Sequence, residues 1–186
     1  MATFQCIPMP TETAGRFRRT GLDDNGNTLR RMTATAEGGF PCRHCLQLGV
    51  AGEEMLLGSY NLPRPRGIYW TPSPVFVHAS ACARFEAPGQ VAPTITANGL
   101  VSVRAYDGAD QCIYDLGVVC AGPEAEVPLA RALADPRTAF VNVHTARPGC
   151  LLSLVVPVRG GAGRVRVVGA GRRRGSAPSP FEGGIV

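Results

Sequence analysis

The feature of this chain that most restricts its fold is an alternation of apolar and polar residues in its second half. From Leu100 to Tyr106 the odd-numbered side chains are apolar, which is typical of a strand with one buried face. The residues at 107–110 indicate a turn, and the apolar segment 111–120 that follows predicts a second strand. The two segments together predict a β-hairpin, so we expect antiparallel pairing to organise the sheet.

A short helix and two further strands are predicted after this hairpin. The helix begins at Pro123 or is reset at Pro128, because proline is best tolerated in a first turn, and it ends before Pro136. Strands are predicted at 138–145 and 150–158, with a turn between them.

The first half of the chain carries weaker signals. Short apolar segments predict strands at 4–9, 55–60 and 75–78. The remaining segments are expected to hold one helical turn at 79–85 and a short helix or strand near 28–35. The proline-rich stretch 63–74 is expected to be an extended loop, and 88–98 a loop or edge strand. The expected fold class is α+β: a mostly antiparallel sheet with one or two short helices, in a single domain.

The positive charge is concentrated at the end of the chain. All 19 basic residues are arginine, and six of them lie with one acidic residue in segment 159–186, which carries a net charge of +5. The charges of residues 1–158 cancel. Because segment 159–186 is rich in Gly, Arg and Pro, we predict a folded domain at 1–158 and a disordered tail. The neutral domain argues against a nucleic-acid partner, which requires clustered positive charge on the fold.

The apolar segments are short. None approaches the roughly 20 residues that span a bilayer, and residues 1–10 lack the basic-then-apolar order of a signal peptide. We therefore expect a cytoplasmic location and no membrane partner. The sequence gives no indication of the oligomeric state.

Cysteine is the residue type that most directly suggests a metal. There are seven cysteines, an odd number that does not favour a disulfide framework in a chain without an export signal. The segment Cys42-Arg43-His44-Cys45 has the spacing of a zinc pair, and further ligands are available at His78, Cys82, His144 and Cys150. A second paired motif is not evident, and a redox C-x-x-C lacks its usual βαβ surroundings. We therefore expect reduced thiols with His44 pointing away from them, no metal and no cofactor.

Several segments together resemble the domain of unknown function 1203 family over residues 4–158. They are Gly39-Phe40-Pro41-Cys42-Arg43, Gly52-Glu53-Glu54-Met55-Leu56-Leu57, Val75-Phe76-Val77-His78 with Cys82, Val103-Arg104-Ala105-Tyr106-Asp107, and Arg147-Pro148-Gly149-Cys150. The resemblance implies a compact bacterial α+β domain and implies no activity. The chain departs from the family pattern at Cys45, where serine is frequent, at Ser73, where glycine is usual, and in its Arg/Gly-rich tail.

Polar side chains with useful chemistry lie opposite the apolar rows of the predicted strands. Strand parity places Arg104 with Tyr106, and Asn142 with His144, while His78 ends a short strand. If these strands are neighbours, the side chains converge, although a half-solvated sheet shows the same alternation without any function. We expect a pocket with catalytic candidates His144, His78 and Tyr106, His144 being the first choice as base, and ligand-binding candidates Arg43, Arg104 and Asn142.

Three functions remain open at this point, and the sequence does not decide whether the protein is an enzyme. The first is an enzyme or binding protein for a small anionic or carbonyl-bearing metabolite, held by arginine, with histidine moving a proton. The second is a non-catalytic protein-interaction module, and the third is a zinc-stabilised adaptor. For Arg43, the structural alternative is a salt bridge to Glu53 or Glu54.

Overall fold

The computed structural model describes residues 3–158, and this part of the chain forms eight strands and three α-helices. In chain order these are β1 Thr3–Ile7, α1 Thr11–Thr20, β2 Arg30–Thr33, β3 Glu54–Asn61, β4 Pro72–His78, α2 Pro93–Thr96, β5 Val101–Tyr106, β6 Val118–Cys120, α3 Glu126–Ala134, β7 Phe140–Thr145 and β8 Leu151–Val158. Short 3₁₀ turns lie at Gly67–Tyr69, Tyr114–Leu116 and Gly122–Glu124. The fold is α+β, as the sequence predicts.

The strands form two antiparallel sheets. The larger sheet has the order β1-β8-β7-β5-β6, and the smaller sheet has the order β2-β3-β4. Arg104 of β5 pairs with Asn142 of β7, and Ser102 pairs with His144. Paired residues share a face of a sheet, so one face of β5 and β7 is apolar and the other carries the polar side chains.

Two hydrophobic cores lie against these sheets. The first packs α2 and α3 on the apolar face of the larger sheet and contains Ile95, Val101, Val103, Leu129, Leu133, Val141 and Val143. The second packs α1 with the smaller sheet and contains Phe17, Met55, Leu56, Val75, Val77 and Leu151. Since Leu151 of β8 pairs with His144, the second core adjoins the polar face of the larger sheet.

The structure corrects four local predictions. Segment 11–39, which has no clear period, contains α1, which buries Ala14 and Phe17 and ends at Gly21 with a left-handed φ of 66°. Segment 79–85 is irregular and not helical, segment 88–98 contains α2, and the strand predicted at 111–120 is reduced to β6. In 79–85 the backbone amides bond across to other segments, as Phe85 does to the carbonyl of His44, and not along a helix.

The other strands agree with the sequence-based positions to within a few residues. The predicted tail lies outside the described residues. No helix in the range 3–158 is long and apolar enough to cross a membrane.

Candidate functional site

Three cysteines and a histidine form a compact cluster at the edge of the second core. The Sγ atoms of Cys42, Cys45 and Cys82 and a ring nitrogen of His78 all lie within 4.8 Å of one another. Cys42 Sγ is 4.0 Å from Cys82 Sγ, and Cys45 Sγ is 3.5 Å from His78 Nδ1. Cys42, Cys45 and His78 are buried, whereas Cys82 is half-buried.

Backbone hydrogen bonds hold the loop that carries Cys42 and Cys45 beside strand β4. Residues Pro41 and Leu48 form an isolated bridge that closes the loop, and Cys42 forms a parallel bridge with Phe76. The amide of Arg43 donates to the carbonyl of Phe76 at 2.8 Å. Because β4 ends at His78, the imidazole reaches the two cysteines, and the irregular segment after β4 brings Cys82 back to them.

A second layer of polar groups surrounds the cluster. His78 Nε2 lies 3.3 Å from a carboxylate oxygen of Glu53, on the opposite side of the ring from Cys45. Arg18 donates from Nη2 to Cys82 Sγ at 3.3 Å, and His44 Nδ1 lies 3.2 Å from the same sulfur. His44 therefore points towards the cluster, contrary to the sequence-based expectation.

The cluster favours a thiolate at Cys42. Hydrogen bonds from Cys45 and then from His78 lower the pKa of the Cys42 thiol, against the opposing effect of burial. The hydrogen bond between Cys42 and Cys45 raises the pKa of Cys45. The hydrogen bond between Cys42 and His78 raises the pKa of His78. Thiolates and neutral imidazoles are the forms that bind metals, so a metal would displace protons from Cys45 and His78. The positions of the four donor atoms, within 4.8 Å of one another, are what make these residues able to hold one.

Arg43, which follows Cys42 in the chain, is buried, with 4% of its surface exposed. Its guanidinium donates to the carbonyls of Leu151 and Pro41, and it forms no salt bridge with a carboxylate within residues 3–158. Burial lowers its pKa to about 10, so it stays charged at neutral pH. Glu53 pairs with His78 and Glu54 with Arg31, so the alternative of a salt bridge from Arg43 to either acid is wrong.

The polar face of β5 and β7 forms a second group, as strand parity predicts. His144 is 5% exposed, and its Nδ1 lies 2.9 Å from the carbonyl of Gly149, to which it donates in the neutral ring. Burial, with the charges of Arg104 and Arg43, lowers the pKa of His144 to about 4. His144 Nε2 and Asn142 Oδ1 are buried and have no hydrogen-bond partner among the described residues.

An open cavity of about 420 Å³ lies beside this face, at the β5–β6 edge of the larger sheet. Arg104 lines it and donates from Nε to Ser102 Oγ at 3.2 Å. Its aromatic wall consists of Tyr69, Tyr106 and Tyr114, with the hydroxyls of Tyr69 and Tyr114 2.9 Å apart.

The residues predicted to share one pocket are divided between these two places. Arg104, Tyr106, Asn142 and His144 share a face of the larger sheet, but neither Asn142 nor His144 lines the cavity. His78 belongs to the smaller sheet and contacts the cysteines, and Arg43 lies buried between the two groups. The structure therefore places His78 and His144 in separate groups of side chains, on different sheets.

Two features of these sites were not predicted from the sequence. The first is the spacing His78-x-x-x-Cys82, which supplies the second ligand pair that the zinc interpretation lacked. The prediction of no metal thus loses its main reason, although it stays a prediction. The second is the loop around Tyr69, whose aromatic ring reaches the larger sheet from a distant part of the sequence and carried no local signal.

The fold and these sites define an α+β protein with a Cys₃His cluster and a separate arginine-lined cavity. A family model described as "Protein of unknown function (DUF1203)" matches residues 39–156, a range that includes the cluster, Arg104 and His144. The chain therefore belongs to the domain of unknown function 1203 family, as the sequence resemblance indicates. No curated protein and no solved structure matches it.

Proposed function

We propose that this protein binds a small anionic metabolite in the cavity at the β5–β6 edge, with Arg104 as the anion-binding group. The observation that carries the proposal is the environment of this guanidinium. It lines a cavity of about 420 Å³ and forms no salt bridge with a carboxylate in the part of the chain that the structure describes. A planar guanidinium matches carboxylate and phosphate groups, for which it presents paired donors.

The aromatic wall indicates what the rest of the ligand would contact. Tyr69, Tyr106 and Tyr114 are near-neighbours, with ring centroids 6.2 Å apart for Tyr69 and Tyr106 and 6.4 Å apart for Tyr69 and Tyr114. The hydrogen bond to Tyr114 raises the pKa of Tyr69 to about 12, so its phenol keeps its proton at neutral pH. Phenol hydroxyls can donate to an anion, and the rings can pack on an apolar portion of the ligand.

His144 and Asn142 have a supporting part in this proposal. Both lie on the sheet face that carries Arg104, and a neutral His144 adds no competing positive charge. Because neither reaches the cavity wall, the proposed function is binding, with Arg104 and Tyr106 as the contacting candidates.

A charge-matched pair of variants tests this function. Calorimetry with benzoate and phenyl phosphate, and with uncharged benzyl alcohol as a reference, should show binding of the anions alone. Arg104→Ala should weaken that binding about tenfold to a hundredfold, the loss expected for a hydrogen bond to a charged group. Arg30→Ala, which removes the same charge from an exposed site on β2, should leave it unchanged. Equal losses in both variants would show a nonspecific charge effect and contradict the proposal.

A protein-interaction module is the second candidate, because apolar side chains surround the cavity. Tyr114, Val118 and Val119 are 74%, 39% and 59% exposed, and β6 is an edge strand. Such edges and patches are common at interfaces. Sedimentation analysis separates the candidates: a dimer that Val119→Asp dissociates, in a protein that binds no anion, would favour this function.

A further inference from the structure

We propose that Cys42, Cys45, His78 and Cys82 bind one zinc ion in a closed, tetrahedral site that supports the fold. This inference is independent of anion binding, since the four residues lie apart from the cavity at Arg104. It rests on the spacing of the donor atoms, on the groups that surround them and on the charge of the neighbourhood.

The donor atoms lie close enough together for tetrahedral zinc, since all four are within 4.8 Å of one another. With Zn–S bonds of about 2.3 Å, two sulfurs in a tetrahedron lie about 3.8 Å apart, and a sulfur and a nitrogen lie slightly closer. Cys42 Sγ and Cys82 Sγ are 4.0 Å apart, and Cys45 Sγ and His78 Nδ1 are 3.5 Å apart. A disulfide would instead need sulfurs at about 2.05 Å, and every cysteine in residues 3–158 is a free thiol.

The second layer of groups matches that of a metal site. A metal-bound histidine commonly donates its other ring N–H to a carboxylate, which fixes the ring and raises its basicity. Glu53 occupies this place, 3.3 Å from His78 Nε2, while Nδ1 faces the sulfurs. The donor from Arg18 to Cys82 Sγ is suited to a thiolate, which accepts hydrogen bonds, and His44 Nδ1 can donate to the same sulfur when it carries the ring proton.

The local charge also favours an anionic centre. Arg43 is a buried cation whose guanidinium donates to carbonyls, and an unpaired buried charge is strongly destabilising. Zinc with three thiolates carries one net negative charge, which the cations of Arg43 and Arg18 would offset. The arginines thus acquire a counter-charge that no carboxylate provides within the described residues.

The identity of the ligands selects the metal and its role. Three thiolates and one imidazole favour zinc over magnesium or calcium, which take oxygen ligands. Four protein ligands leave no open position, which is the mark of a structural site. The ion would tie the loop of Cys42 and Cys45 to the end of β4 and to the irregular segment that carries Cys82.

Metal analysis of the full chain, purified under reducing conditions, tests the site. We expect one zinc per chain in the wild type and in Cys120→Ser, a matched control that replaces a half-buried thiol on β6. Cys42→Ser and Cys82→Ser should lose most of the metal. A strong chelator should lower the melting temperature of the wild type, and one equivalent of zinc should restore it.

Cobalt exchange keeps the test decisive if the ligand variants do not fold. Cobalt bound to the wild type should give the intense visible bands of tetrahedral geometry and a sulfur-to-cobalt charge-transfer band. Protein without zinc that also gives no such spectrum would overturn the proposal. It would be overturned equally by iron in place of zinc, by a native disulfide among these cysteines, or by folded Cys42→Ser and Cys82→Ser variants that keep their zinc.

Discussion

At the scale of single residues, His144 carries a linkage between protonation and folding. Its folded-state pKa is about 4, below the ordinary value of 6.5, because burial and the charges of Arg104 and Arg43 oppose a third positive charge. Above pH 6.5 the ring is neutral in both the folded and unfolded states, and its effect on stability is nil. Between pH 6.5 and 4 the unfolded state binds the proton first, so the free energy of unfolding falls as the pH is lowered.

We predict that His144→Gln removes this fall in the free energy of unfolding between pH 6.5 and 4. A pKa lowered from 6.5 to about 4 corresponds to about 3 kcal/mol of stability lost by the wild type across that range. Urea unfolding at pH 7, 6, 5 and 4.5 should show the stability difference between the two proteins shrinking or reversing towards acid. Parallel curves for the two proteins would show that His144 has the same pKa in the folded and unfolded states, and would contradict the lowered pKa.

The alternation of side chains along a strand predicts some contacts between the site residues and not others. Arg104 and Tyr106, or Asn142 and His144, are predictable as pairs because successive side chains of one strand alternate between faces. Parity says nothing about which sheet a strand joins, so His78 was assigned to the wrong neighbours. Likewise Cys42 and Cys45 are local in sequence, whereas their meeting with His78 depends on the bridge between Cys42 and Phe76 of β4, which joins distant parts of the chain.

At the scale of elements, strands were easier to predict than helices. The strands of the larger sheet carry a period-two pattern, which packing on one face enforces. Helix α1 contributes only Ala14 and Phe17 to the core, and Gly15 weakens its intrinsic helix propensity. Helix α2 is four residues long and begins at Pro93, so it is too short to show any period. Both helices are held by tertiary packing, which a local pattern does not record.

The contact between α2 and the turn before α3 gives a prediction for this scale. A Cβ added to Gly122 would overlap the carbonyl oxygens of Ile95 and Asn98, which are backbone atoms and cannot move aside as a side chain would. Gly122→Ala should therefore destabilise the protein by about 1–3 kcal/mol, the usual cost of overpacking. A thermal melt should show a drop of several degrees.

Gly99→Ala is the matched control for that measurement. No atom lies within 4 Å of its added Cβ, so the change should be neutral or slightly stabilising through the unfolded state. If the two variants melt together, α2 and the turn at 122–124 are not packed as closely as the structure places them.

At the scale of the whole molecule, the α+β class and the antiparallel pairing were predictable, but the division into two sheets was not. β1 pairs with β8, and β5 pairs with β7 across the intervening β6 and α3. Such pairings bring together strands far apart in the chain. Each pairing depends on how the apolar faces of the strands pack into a core. The pattern of a single strand specifies a buried face and leaves its partner open.

Charge is the property for which the two parts of the chain differ most, and it gives the last prediction. The described fold closes with Val158 of β8 paired to Thr3 of β1, and the charges of residues 1–158 cancel, whereas segment 159–186 carries the net +5. We expect a chain ending at Val158 to melt within about 2 °C of the full chain, since a change under 1 kcal/mol shifts a domain of this size by no more than a few degrees. It should also lose whatever salt-dependent retention the full chain shows on heparin, because that retention requires clustered positive charge. A truncated chain that still binds heparin would show that the domain itself has a basic surface, and a nucleic-acid partner would again have to be considered. A large loss of melting temperature would show that segment 159–186 is part of the folded structure.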